Sequence, residues 1–69
     1  MFDSIIEHVI TDLHNGIRSE RFRKNGHDYS LLETSLDFWL LQEYNNRQPK
    51  TIAYINHYGD QFQVNQEVS

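Results

Sequence analysis

Eight of the fourteen residues from Leu31 to Tyr44 are large and apolar or aromatic, and the chain's only Trp, Trp39, is among them. Whatever covers this stretch decides the fold. Its length favours a helix, because strands usually run about 4–8 residues. Ser30-Leu31-Leu32-Glu33 has the form of a capping box, with Asp28 as a rival cap. The expectation is therefore a helix over 30–44. Its apolar positions do not make one face, however. Leu31, Leu32, Leu36, Trp39, Leu40 and Tyr44 spread over more than half the circumference, and Phe38 and Leu41 fall outside even that arc. The competing reading is a strand from Leu36 to Tyr44. There Trp39 and Leu41 face one way while Phe38 and Leu40 face the other.

The preceding segment is simpler. Ile5, Ile6, Val9, Ile10, Leu13 and Ile17 recur at helical spacing within an arc of about 140°. Ser4 and Glu7 make a second capping box, which places the helix start there. Asn15-Gly16 offers a C-cap. Ile17 nevertheless continues the apolar arc, so the pattern predicts a longer helix, bent at Gly16 and stopped by Asn25-Gly26 near Lys24.

After Asn45–Lys50, where Pro49 ends any helix, Thr51–Tyr58 and Gln61–Val68 read as strands joined by Gly59-Asp60. A Gly in first position suits a type II′ turn. That turn pairs Tyr58 with Gln61, His57 with Phe62, Asn56 with Gln63 and Ile55 with Val64. Ala53, Ile55, Phe62, Val64 and His57 then share one face, and Ile52, Tyr54 and Tyr58 the other. The expected fold is a single α+β domain over 1–69: two helices followed by a C-terminal β-hairpin. The alternative is one helix packed on a three-stranded antiparallel sheet.

Composition bounds the function. A chain of 69 residues buries a modest core and often needs a disulfide, a metal or a partner subunit to be stable. It has no cysteine, which removes disulfides, Cys-based zinc sites and thiol nucleophiles, and which suits a reducing cytoplasm. No basic leader followed by an apolar run opens the sequence, and no apolar stretch approaches the roughly 18 residues of a membrane span. A cytoplasmic protein without membrane contact is expected.

Chemistry-bearing motifs are sparse. His8, His14, His27 and His57 include no i,i+4 pair and no His-Glu-x-x-His. His8 and Asp12 are four apart, but two ligands do not make a metal site. His57 reads as a rim residue beside Phe62. No nucleophile elbow, paired catalytic carboxylates or Gly-rich phosphate loop is present. Neither an enzyme, a cofactor nor a metal is expected.

Two surface features remain. Arg18, Arg21, Arg23 and Lys24 supply four of the six basic residues within seven positions. They suggest an anion or nucleic-acid contact, although the formal charge of −4 favours charges solvated at a helix end. The hairpin face bearing Tyr54 and Tyr58, with the crowded Phe38, Trp39 and Leu41, suits a protein interface. The function expected is a small acidic protein-binding module, acting as a regulator, adaptor or inhibitor and self-associating as a homodimer. The alternative is a nucleic-acid-binding regulator that uses residues 18–24.

Overall fold

A computed structural model describes residues 2–66, with side chains described from Ser4 onward. One helix, α1 (Phe2–His14), is followed by five strands: β1 (Glu20–Lys24), β2 (His27–Ser35), β3 (Phe38–Asn45), β4 (Gln48–Tyr58) and β5 (Gln61–Gln66). The strands form one antiparallel sheet in sequence order, each paired with the next. The expected second helix and lone hairpin are thereby corrected, and the alternative of one helix on a sheet is closer but undercounts the strands. The end of the second expected strand, at 67–68, lies outside the described residues.

The helix stops early because of Gly16. This residue has φ of 89°, a region an L side chain rarely enters. The Ile17 N–H donates to the Asp12 carbonyl at 3.0 Å and the Gly16 N–H to that of Leu13 at 3.1 Å. That is the paired bond pattern of a Schellman motif, and it closes the helix at His14 rather than near Lys24. At the other end the helix is already formed at Phe2, so Ser4 lies in its first turns and not at the cap.

The stretch expected as a helix over 30–44 is instead most of β2 and all but the last residue of β3. Asn25 and Gly26 both have positive φ (56° and 80°), as the two central residues of a type I′ hairpin turn require. They turn the chain back on itself and pair Lys24 with His27. A second reversal at Leu36-Asp37, with Asp37 at φ 59°, splits the apolar run into two strands. The Ser30–Glu33 capping signal is overridden by tertiary packing.

The β4–β5 hairpin has the register read from its turn: Tyr58 opposite Gln61, His57 opposite Phe62, Asn56 opposite Gln63 and Ile55 opposite Val64. Ala53 and Ile55 are buried, and Phe62 and Val64 pack against the same core. The β3–β4 pairing shifts between Leu41 and Gln42, which makes Ile52 the extra residue of a bulge; it packs against the core instead of joining Tyr54.

One layer of the core is the helix stripe Ile5, Val9 and Leu13, spaced by one turn. The other comes from alternate residues of three strands: Tyr29 and Leu31, Trp39 and Leu41, Ala53 and Ile55. The β3–β4 turn places both Asn46 (φ 52°) and Arg47 (φ 69°) in the left-handed region. Glycine is the preferred second residue there. Arg47→Gly is expected to stabilise by about 0.5–1 kcal/mol, read as a rise of a few degrees in thermal midpoint.

Candidate functional site

Strand alternation divides the sheet into two faces. The helix covers the face that carries Trp39 and Leu41, which are 1% and 0% exposed. Both belonged to the expected partner surface; the fold uses them internally. The opposite face has no element of the described residues lying over it. Across its centre the register aligns Leu32, Leu40, Tyr54 and Asn65. Beside them Phe38 stands opposite Asn56, which stands opposite Gln63. The rings of Phe38 and Tyr54 lie 6.1 Å apart. Leu32 is 46% exposed, while Phe38, Leu40 and Tyr54 are half-buried by one another and by the sheet. Tyr58 is 75% exposed at the strand end. The patch is framed by Ser30, Gln42 and Thr51, and the Gln42 side-chain N–H donates to Thr51 Oγ1 at 3.4 Å.

Of the expected surface, then, Phe38 and Tyr54 share one patch, Tyr58 sits apart, and Leu32 and Leu40 are additions. On a helix these two leucines have no reason to meet. As directly paired strand residues they must.

The basic residues are dispersed along and before edge strand β1. Arg18, in the connection to β1, clamps the core. Its Nε–H donates to Glu33 Oε1 at 3.1 Å and its terminal nitrogen to Glu33 Oε2, with Asp37 at 3.8 Å. Its guanidinium lies 5.1 Å from the Trp39 ring centre, and its carbonyl accepts from the Trp39 indole N–H at 3.1 Å. Arg21 rests over the Tyr44 ring at 4.6 Å, and Arg23 approaches Asp28 at 3.9 Å. Arg21 and Arg23 alternate with Phe22 and Lys24, so they belong to the uncovered face. Charge at a sheet edge also discourages strand addition by another chain.

The Arg18 hydrogen bonds hold the Glu33 carboxyl below its ordinary value. A carboxyl depressed on folding contributes stability above its unfolded value, about pH 4.3, and loses it as the pH falls through the folded one. Thermal midpoints of wild type and Glu33→Gln are accordingly expected to differ at neutral pH, with wild type higher, and to converge in acid below the folded value.

The histidines differ in setting. His57 stacks on Phe62 at 4.5 Å between ring centres, with Nδ1 3.6 Å from Asp37, the rim position its register implied. His14 meets the same phenylalanine edge-on. His8 is more crowded: its Nε2 lies 3.1 Å from Asp12 Oδ2 and 3.2 Å from Glu20 Oε1. Burial raises the Glu20 carboxyl above its ordinary value, and a hydrogen bond with Asp12 adds to that. Sequence proximity brought His8 and Asp12 together; Glu20 arrives only through the reversal at Gly16.

Comparison with known protein families, curated proteins and solved structures finds no match to this chain. No helix among the described residues is long and apolar enough to cross a membrane.

Proposed function

We propose that this protein is a small protein-binding module, a regulator, adaptor or inhibitor acting in the cytoplasm, and that it self-associates through the uncovered face of its sheet. The observation that carries the reading is the row Leu32–Leu40–Tyr54, with Phe38 beside it, over which no element of the described residues lies. A solvated antiparallel sheet face is ordinarily polar. Its centre mixes apolar and aromatic side chains with Ser, Thr, Gln and Asn, and Arg21, Arg23 and Asp28 lie toward its β1 edge, an apolar centre with a charged margin that is common at protein interfaces.

Its size fits a second copy. Five strands about 4.8 Å apart, averaging about eight residues at about 3.4 Å each, give a whole face on the order of 600 Å². Two such faces meet the lower bound of a specific interface, about 1,200 Å² in total. Sheet-on-sheet packing needs only apolar rows that interdigitate, and a two-fold axis supplies the same row twice.

The test is light scattering coupled to sizing, over a dilution series from high to low micromolar. A reversible dimer is expected. Tyr54→Ser is expected to weaken it by about tenfold or more, since aromatic residues central to an interface commonly contribute above about 1.4 kcal/mol. A far-UV spectrum like that of wild type would show that the fold survives. A wild-type chain that stays monomeric throughout the series refutes self-association.

A further inference from the structure

We infer that His8, Asp12 and Glu20 form a binding site for a divalent transition-metal ion, with zinc the ion the donor set suits best. The three side chains each offer one ligand atom, and these atoms all lie within 4.8 Å of one another. The site stands on the helix side of the sheet, away from the proposed dimer face, and does not depend on it.

The fold builds the arrangement from two directions. His8 and Asp12 are one helical turn apart and so lie on the same side of α1. Asp12 is also the residue whose carbonyl receives the Ile17 N–H in the Schellman turn, so the reversal that ends the helix is anchored beside the ligand. Four residues later the chain enters β1 at Glu20, whose Oε1 faces His8 Nε2 at 3.2 Å. Phe22 lies two positions on, hence on the same side of the strand, and its ring centre is 4.4 Å from that of His8. This contact restricts the imidazole, and the phenylalanine is in turn stacked on buried Tyr29 at 5.3 Å. Ligands held by a packed second layer are the mark of a preorganised centre.

The chemistry is specific enough to choose an ion class. Zinc takes imidazole nitrogen and carboxylate oxygen at about 2.0–2.2 Å, which in a tetrahedron sets neighbouring donors about 3.4 Å apart. The two distances from His8 Nε2, 3.1 and 3.2 Å, need to open by only a few tenths of an ångström. Magnesium prefers all-oxygen octahedral coordination and keeps its waters, so one imidazole disfavours it. The fourth position has room: a surface pocket beside His8 and Asp12 is lined also by Ser4, Glu7, Thr11 and Lys24. Water can enter there. The ion would take the place between the two carboxylates toward which the His8 imidazole nitrogen points in the metal-free arrangement. It would also tie helix to edge strand in a chain that has no disulfide to do so.

Calorimetric titration of the full chain with zinc, with magnesium as the comparison, tests the assignment. One zinc per chain is expected, with a saturable rise in thermal midpoint that magnesium does not reproduce at the same concentration. His8→Ala and Glu20→Gln are each expected to weaken zinc binding by about tenfold or more, and His57→Ala to leave it unchanged. Glu20→Gln keeps the shape and a hydrogen-bonding oxygen beside His8, so its metal-free midpoint should stay close to that of wild type while the response to zinc is lost. A hydrogen-bonded strut with no metal role predicts the reverse: a lower midpoint and no zinc response to lose. Because a variant can fail to fold, cobalt added to wild type gives a second reading, with paramagnetic broadening expected around residues 8, 12 and 20. Absence of one-to-one zinc binding at millimolar ion, or broadening centred on another histidine, overturns the proposal.

Discussion

Trp39→Ala is expected to leave the chain largely unfolded at ambient temperature. The side chain is 1% exposed and is the largest in the core. It stands in β3 opposite Ile55 of β4, with Phe62 at 5.8 Å and the Arg18 guanidinium at 5.1 Å. Truncating a buried Trp to Ala costs about 3–5 kcal/mol. A chain of this size has a total stability of roughly 3–10 kcal/mol, at about 0.05–0.15 kcal/mol per residue. The loss is therefore comparable with the whole. A second cost is specific to this site. The indole N–H is the donor to the Arg18 carbonyl, and Arg18 is itself fixed to Glu33. Without the indole, the connection that carries the chain from α1 to β1 loses the backbone one of its two anchors on the sheet and keeps only the Arg18–Glu33 side-chain pair. Denaturant titration followed by far-UV circular dichroism should show the midpoint moving toward zero, a fall in thermal midpoint on the order of 15–30 °C where a transition is still measurable. Trp39→Phe keeps most of the buried ring but not the donor, so its loss should be closer to 1–2 kcal/mol. Similar midpoints for wild type and Trp39→Ala would show that the indole is not what holds the helix, sheet and connection together.

How far the sequence foretells this arrangement depends on whether local and long-range signals agree. In β4–β5 they agree: Gly59-Asp60 dictates one register, and that register buries Ala53, Ile55, Phe62 and Val64 together. In α1 the periodicity reads correctly but its end does not. Ile17 happens to continue the apolar arc beyond Gly16, whose backbone has already left the helix. Between Asn25 and Asn45 the signals conflict. Asn-Gly is a strong hairpin dipeptide, yet it also serves as a helix stop, and the apolar run beyond it is longer than most strands. The turn that divides the run, Leu36-Asp37, contains neither Gly nor Pro nor Asn, so composition marks it only weakly, through Ser35 and Asp37. The uncovered patch is half legible for the same reason. Phe38 and Tyr54 are conspicuous aromatics, whereas the alignment of Leu32 with Leu40 exists only in the sheet. Glu20 is twelve residues from His8, and no short-range pattern links them.

The second large effect lies in neighbouring leucines of β3, and it turns the ambiguity of this strand into a measurement. Phe38-Trp39-Leu40-Leu41 looks poorly alternating because both of its faces are apolar. The structure accounts for one face, with Trp39 and Leu41 beneath the helix. The other face, Phe38 and Leu40, is accounted for if a second copy covers it. The same substitution made one residue apart separates the two. Leu41→Asp places a carboxylate at a position that is 0% exposed, among Leu31, Ala53 and the helix stripe. Burial without a partner costs several kcal/mol, beyond the lost apolar contact of about 1.5–3 kcal/mol, so this variant is expected not to fold. Leu40→Asp places the same charge on the uncovered face beside Leu32 and Tyr54, where water can reach it. Its monomer is expected to keep the wild-type far-UV spectrum and to lose no more than about 1 kcal/mol of stability. Its dimer should fail, because a two-fold interface would carry the introduced charge twice and bury it unpaired; the dissociation constant is expected to rise about a hundredfold or more. Sizing by light scattering reads the second effect and circular dichroism the first. If Leu40→Asp associates as wild type does, the interface is elsewhere. If Leu40→Asp unfolds as Leu41→Asp does, the outer row belongs to the monomer's own core, and the unusual density of this strand is a requirement of folding alone.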